Sequence, residues 1–211
     1  MFLFIFAEPV LAWQVDSRVV IEYGALSIDR AKSVADITQA QGEGGFQAGI
    51  GLGLFQNKMQ MELVIDPVDP ARRGKRLALT ARIKTAPVIY VARELPEGSC
   101  AYRVVLNHEL QHQRFDLEAL RALPDALRRM SREVFTPEAL DRLDETGLAR
   151  ARDRLLQRLK YAYDALGFPR HQSIDNPQSY AELGGRCNGE FAKYLGTDKP
   201  ASGAAAPAKP G

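Results

Sequence analysis

Cysteine is scarce in this chain of 211 residues, which contains only Cys100 and Cys187. No Cys-x-x-Cys pair occurs, and this argues against thiolate zinc binding and dithiol redox catalysis. If the chain is exported, the two cysteines can join the start of one helix to the last helix in a disulfide. In a reducing compartment they would be two buried thiols.

Strong charge and long apolar runs are also missing. The net charge is +2, and no basic stripe alternates with aromatic residues, so nucleic acid is not expected as a partner. No stretch approaches the length of a membrane span. Residues 1–12, "MFLFIFAEPVLA", resemble a shortened export signal without its basic segment, and predict a secreted or periplasmic protein. The alternative is a buried N-terminal strand.

The hydrophobic pattern predicts an α+β fold in one domain over residues 13–195. Residues 13–92 contain mostly strands, with alternating or β-branched runs, and residues 101–195 contain mostly helices. A break at Gln56-Asn57 predicts an antiparallel hairpin, and Pro87 predicts a short edge strand over residues 88–92. Residues 196–211 are rich in Ala, Pro and Gly, which predicts a disordered tail.

Three helices are predicted in the second half. The first covers about residues 101–123 and ends before Pro124. The second begins with Thr136 as its N-cap and Pro137 in its first turn. The last covers "NPQSYAELGGRCNGEFAKYL" and is weakened by its glycines.

The stretch "HELQH" places two of the three histidines, His108 and His112, four residues apart. On a helix they lie 40° apart and one turn from each other, so their rings can bind one ion. Glu109 lies beside the pair and can reach a metal-bound water without being a ligand. Zinc binds neutral imidazole and activates water, and a glutamate can move the proton to the leaving amine.

The rest of this predicted helix has apolar residues on two opposite sides, and only one sector is continuously polar. Such a helix is expected to lie between two layers, which places His108 and His112 in the interior. An unpaired polar ring is costly there, and a bound metal would remove that cost. A pair of histidines packed in the core is the alternative.

"HELQH" is the HExxH signature, and the sequence resembles the zincin-type zinc metallopeptidases, in particular exported bacterial zincin-like proteins. The resemblance implies a twisted sheet whose edge strand, here residues 88–92, lies above the active-site helix and pairs with an extended substrate. It implies zinc as the cofactor, with His108 and His112 as ligands and Glu109 as general base. The specific match covers only residues 108–112.

The sequence departs from this family at the third ligand. Phe115 stands where one branch has glycine, and Glu118 where that branch has a third ligand. We expect Glu182 in the last helix to complete the site as a metal ligand. The alternatives are Asp116, which more easily orients His112, His171 in a predicted loop, and Asp175, which more easily caps the last helix. Tyr180 or Tyr102 could stabilise an oxyanion.

These residues predict a zinc-dependent metallopeptidase that cuts peptide or protein substrates. The alternative is a non-catalytic zincin-like binding or scaffolding module of the bacterial envelope, which the unassigned third ligand favours. A structural envelope protein with both histidines in its core is the third hypothesis.

Overall fold

The computed structural model describes residues 14–43, 51–68 and 76–194. The predicted signal segment (1–12) and the predicted tail (196–211) lie outside the described residues. The described elements are β1 (Gln14–Tyr23), β2 (Ser27–Asp29), α1 (Val34–Glu43), β3 (Gly53–Val68), β4 (Arg76–Val91), α2 (Cys100–Val134), α3 (Pro137–Asp141), α4 (Glu145–Ile174), α5 (Pro177–Gly185) and a 3₁₀ segment (Arg186–Lys193).

The protein combines a small sheet with a helical C-terminal half, so the coarse fold prediction is confirmed. The strand directions differ from the expectation, because β1 and β2 both run parallel to β4. The strand predicted at residues 88–92 is not an edge. It is the end of β4 and pairs with β2 over residues 88–90. Among the described strands β3 pairs only with β4, which leaves β3 at an edge of the sheet.

Helix α1 was missed by the sequence reading. It begins after Ser33, whose backbone N–H and hydroxyl both donate to Asp36, while the Asp36 N–H donates back to the Ser33 hydroxyl oxygen. This reciprocal arrangement is a capping box, with Asp in the place of the usual Glu. The hydrogen bonds from Ser33 hold the pKa of Asp36 below its ordinary value.

Three predicted interruptions do not occur. Strand β3 continues through Gln56-Asn57, strand β4 continues through Pro87, and α2 continues through Pro124 to Val134. A proline inside a helix removes one backbone hydrogen bond and costs about 3 kcal/mol. Its neighbour Leu123 and the nearby Leu127 are fully buried, and this apolar burial offsets the cost.

The N-cap prediction at Thr136 is confirmed, since its side chain accepts from the Ala139 N–H. The helix that it begins, α3, is short. The cap of α5 is Asn176, which accepts from the Ser179 N–H, and not Asp175.

The chain divides into two compact units, each with its own apolar core. Unit 1 comprises residues 1–25, 57–87 and 114–170, and unit 2 comprises residues 26–56, 88–113 and 171–211. The unit 1 core contains Leu79, Ala81, Ile83, Leu120, Leu123, Leu127, Leu155 and Leu159. The unit 2 core contains Ile37, Leu52, Ile89, Val91, Leu95, Ala101, Val105 and Phe191.

A disulfide joins Cys100, the first residue of α2, to Cys187 in the 3₁₀ segment of unit 2. The predicted pairing is therefore present. Backbone φ is positive at Cys187, Asn188 and Gly189, the left-handed region that residues other than glycine and asparagine rarely adopt. The cross-link holds this unfavourable turn against the start of the helix.

We expect the Cys100→Ser/Cys187→Ser variant to lose about 4–5 kcal/mol of unfolding free energy. The disulfide spans 87 residues, and opening so long a loop restores much entropy to the unfolded chain. Urea unfolding with and without a reductant measures the loss. Reductant should destabilise the wild type to the level of the double variant and leave the variant unchanged. An equal effect of reductant on both proteins would contradict this expectation.

Unit 1 contains a buried carboxylate, Asp116, whose residue is only 1% exposed. It accepts hydrogen bonds from Tyr163, from Asn57 at 2.8 Å and from Tyr23 at 3.4 Å. Burial raises the pKa of Asp116 above its ordinary value and outweighs these hydrogen bonds, which act in the opposite direction. The three hydrogen bonds therefore satisfy the carboxyl group of Asp116, whose ionised form is disfavoured by burial.

Replacing Asp116 by Asn should destabilise the protein by about 1–3 kcal/mol in acid, because an amide adds N–H donors to a site already filled with donors. Since the pKa of Asp116 is higher folded than unfolded, its stabilisation is complete below about pH 4 and is lost as the pH rises through the folded value. The wild-type advantage over Asp116→Asn should therefore shrink from pH 4 to pH 8 in urea unfolding. An advantage that grows with pH would contradict this assignment.

Candidate metal centre

The two histidines of the HExxH stretch lie on α2 in unit 2, with their rings facing each other. The ring centroids of His108 and His112 are 4.9 Å apart and the ring planes are nearly perpendicular. Both residues are buried, at 7% and 6% exposure. Their Nε2 atoms lie 3.2 Å apart, as one helical turn between them allows.

Asp175 completes a cluster with this pair. It follows the last residue of α4, and its backbone N–H donates to the carbonyl of His171, so that the final helical turn fixes its position. The Asp175 Oδ1 atom lies 3.1 Å from His108 Nε2 and 3.2 Å from His112 Nε2. With the 3.2 Å between the two nitrogens, the three atoms form a nearly equilateral triangle.

This triangle fits a tetrahedral metal ion. With ligand bonds of about 2.0–2.1 Å, a tetrahedron around zinc has ligand-to-ligand edges of about 3.3–3.4 Å, close to the three observed distances. Hydrogen bonds alone do not explain the arrangement. Two neutral imidazoles bring at most one hydrogen each to these atoms, so one of the three short contacts lacks a hydrogen bond. Two imidazole nitrogens and a carboxylate oxygen are also a donor set that zinc accepts.

Asp175 and His112 each shift the pKa of the other. Burial opposes ionisation of Asp175, but hydrogen bonds from His108 and His112 hold its pKa well below the usual range. Burial also opposes a charge on His112, yet Asp175 and the charge of Glu109 raise its pKa above the ordinary value. Without a metal, Asp175 is therefore an anion, and its charge favours a proton on His112.

Glu109 is 5% exposed and is held by strand β3. Its carboxylate accepts a hydrogen bond from the Phe55 N–H. A Cβ atom at Gly53 would lie 2.6 Å from both Glu109 Oε1 and Val105 Cγ1, so only glycine lets the strand approach this closely. Burial raises the pKa of Glu109, although the charges of His112 and His108 oppose the rise. The residue is thus set up as a base of increased strength.

A pocket in unit 2 opens beside His108 and Glu109. It encloses about 340 Å³ of space between atoms, including its open mouth. Its other lining residues are Gln41, Leu52, Gly53, Val104, Val105, Tyr180, Leu183 and Phe191. The Tyr180 hydroxyl donates to Asp175 Oδ1 at 2.6 Å, and burial together with this contact raises the pKa of Tyr180. The pocket wall is mainly apolar, and Gln41, His108, Glu109 and Tyr180 are its polar residues.

His171, expected in a loop, lies in the last turn of α4. Its Nδ1 atom is 2.7 Å from Nδ1 of His112, and the two rings are stacked with centroids 5.0 Å apart. This contact is with the nitrogen of His112 that points away from the triangle. Burial and the charge of His112 lower the pKa of His171 to about 4, which leaves it neutral near pH 7.

Glu182, expected as the third ligand, does not lie with the histidines. Its side chain is exposed and accepts from Gln178 on the same helix. Asp116 hydrogen-bonds in the unit 1 cluster described above, and Tyr102 belongs to the unit 2 core. The carboxylate beside His108 and His112 is Asp175, which the sequence reading had favoured as a helix cap.

Two supporting residues of the site were missed by the sequence reading. Gln41 donates from its side chain to the Gly53 carbonyl at 2.9 Å, and Phe55 donates to Glu109. The spacing of the glycines in "GIGLGLF" (residues 49–55) is typical of strand alternation. A glycine inside a strand also marks close approach of another chain segment, and this signal could have identified Gly53.

Comparisons with protein-family models, with curated proteins and with solved structures found no match to this chain. The resemblance to zincins therefore stays a prediction. In the described parts of the chain, no helix combines the length and the apolar character needed to cross a bilayer.

We expect Asp175→Ala to lose zinc binding, while Glu182→Ala keeps about one zinc per chain. Asp175 provides the only carboxylate in the described triangle, whereas the Glu182 side chain is exposed. Elemental analysis after dialysis against excess zinc and removal of free metal measures both. If the Glu182 variant loses zinc and the Asp175 variant keeps it, then Glu182 and not Asp175 is the ligand.

Proposed function

We propose that the protein is a zinc-dependent metallopeptidase, with His108, His112 and Asp175 as zinc ligands and Glu109 as general base. The observation that carries the proposal is the triangle of two imidazole nitrogens and one carboxylate oxygen within 3.2 Å of one another. Three protein ligands leave a fourth tetrahedral position for water, as is typical of catalytic rather than structural zinc sites.

Bound zinc would lower the pKa of a water molecule to about 7 and polarise the carbonyl of the scissile peptide. Glu109 would accept a proton from a water activated in this way and would pass it to the leaving amine. Its burial strengthens it as a base, and the hydrogen bond from Phe55 fixes the direction of its carboxylate. Tyr180 lies in the pocket wall, and its hydroxyl would have to leave Asp175, to which it donates, before it could donate to a developing oxyanion.

The pocket favours a peptide substrate with an apolar side chain next to the scissile bond. Its walls include Leu52, Val104, Leu183 and Phe191, and it adjoins Glu109. Because Glu109 protonates the leaving amine, we assign the pocket to the residue that carries this amine. The substrate is accordingly an unfolded or extended peptide segment that contains an apolar residue.

We also propose that the protein acts in a secreted or periplasmic compartment. The disulfide between Cys100 and Cys187 supports this location, because such bonds persist in oxidising environments and are rare in the cytosol.

We expect Glu109→Gln to keep about one zinc per chain and to lose peptidase activity by about 10²- to 10⁴-fold. Glutamine keeps the size of the side chain and the contact with Phe55, but it cannot accept a proton. Cleavage of an unfolded protein such as casein, followed by mass spectrometry of the products, measures activity. Glu182→Gln is the matched control, since the same change at an exposed site should leave both zinc content and activity unchanged.

Metal-free wild-type protein of full stability would refute the zinc site. Protein that binds zinc but cleaves no substrate, at any apolar residue, would favour the alternative of a non-catalytic binding module.

A further inference from the structure

The two ring nitrogens of His112 have different neighbours. Nε2 lies in the triangle with His108 and Asp175, whereas Nδ1 faces Nδ1 of His171 at 2.7 Å. His171 lies in the last turn of α4, and Asp175 follows that helix directly and donates its N–H to the His171 carbonyl, so the end of α4 places one neighbour at each nitrogen of His112. His171 itself is not part of the triangle of ligand atoms.

Counting hydrogens decides which ring donates in this pair. Two nitrogens 2.7 Å apart share one hydrogen, since two lone pairs or two N–H groups would repel each other at that distance. A histidine that binds a metal through Nε2 keeps its lone pair there, so its hydrogen is on Nδ1. His112 therefore donates from Nδ1, and Nδ1 of His171 accepts.

We propose that His171 is a positioning residue for the metal centre: by accepting the Nδ1 hydrogen of His112, it fixes the tautomer and the ring orientation in which His112 Nε2 binds zinc. The inference rests on the proposed zinc site and adds a residue that acts through His112. Histidine ligands of metals commonly donate their second N–H to an acceptor that raises their basicity. Here a neutral imidazole has the role that a carboxylate or carbonyl oxygen more often has.

The rings of His112 and His171 are also stacked, with 19° between their planes, so His171 could act through packing alone. Two variants of His171 distinguish packing from the hydrogen bond. His171→Phe keeps an aromatic ring for stacking but has no acceptor. His171→Asn loses the ring but places an amide oxygen close to the position of Nδ1. The two variants therefore separate the hydrogen bond from the stacking contact.

The test is the zinc dissociation constant of purified full-length protein, measured by competition with a chromophoric chelator. We expect His171→Phe to bind zinc about 10- to 100-fold more weakly than the wild type, and His171→Asn to stay within about threefold of it, by restoring the acceptor. Asp175→Ala, which removes a ligand, sets the scale for complete loss. Thermal unfolding of each metal-free variant shows that the comparison is made between folded proteins.

Each outcome has one meaning. Wild-type affinity in His171→Phe would overturn the positioning role and leave the zinc site intact. Equal weakening in both variants would also overturn it, because the ring rather than its acceptor would then be required. A wild type that binds no zinc would refute the proposed function itself, and the positioning role with it.

Discussion

The site depends on three polar atoms with nothing apolar between them, held within 3.2 Å of one another in the interior of unit 2. Imidazole nitrogens and a carboxylate oxygen carry lone pairs, and lone pairs that converge in a buried place are unfavourable unless a positive charge lies among them. A proton can provide part of that charge, and a divalent cation can provide all of it. The residues around the triangle hold its three atoms in place despite this need for positive charge.

The elements that place the three atoms are supported at points next to the site. The start of α2 is fixed by the disulfide from Cys100, eight residues before His108. Asp175 is fixed by the last turn of α4 and by the Tyr180 hydroxyl. A displacement of any of these elements would separate the three atoms, so the triangle depends on the surrounding secondary structure as well as on its three residues.

Strand β3 supports Glu109, the proposed general base, in a similar way. Gly53 lets the strand backbone approach Glu109, and Phe55 uses its N–H to orient the carboxylate. Gln41 in turn donates to the Gly53 carbonyl. The Gly53 carbonyl and the Phe55 N–H on this strand are thus already engaged by the side chains of Gln41 and Glu109, which both line the pocket.

The sequence made the local part of this arrangement predictable. Residues four apart on a helix lie on one face, so the spacing of His108 and His112 was enough to place their rings together, and the two apolar sides of the helix were enough to predict their burial. The pairing of Cys100 with Cys187 followed from there being only two cysteines, on the condition that the chain is exported to an oxidising compartment. The coarse fold class followed from the hydrophobic periodicity of the sequence. Each of these predictions either concerns residues that are close in the chain or, for the cysteines, allows only one pair.

The carboxylate that completes the triangle could not be found in this way. Asp175 is 67 residues from His108, and helical periodicity says nothing about a contact over that distance. A candidate such as Glu182 looked suitable because it lies on a predicted helix, while Asp175, next to Asn and Pro, has the pattern of a helix cap. The neighbouring Asn176 provides the cap instead, and this leaves the Asp175 side chain available to the histidines. Strand pairing is equally hard to predict from local sequence. Pro87 indicated an edge strand at residues 88–92, but β2 pairs with β4 there.

Charge balance gives the physical reason why a cation suits this place. Without a metal, the neighbouring Asp175 and Glu109 raise the pKa of His112 and favour a proton on its ring, while burial raises the pKa of Glu109 and disfavours its negative charge. A divalent ion among the three ligands would take over this balance, with two neutral imidazoles and two carboxylates around it summing to zero. The proton of His112 must then leave, so protons and metal compete for one pair of nitrogens. The ion would also change what Glu109 can do, because only beside a cation would its carboxylate have an acidic water to deprotonate.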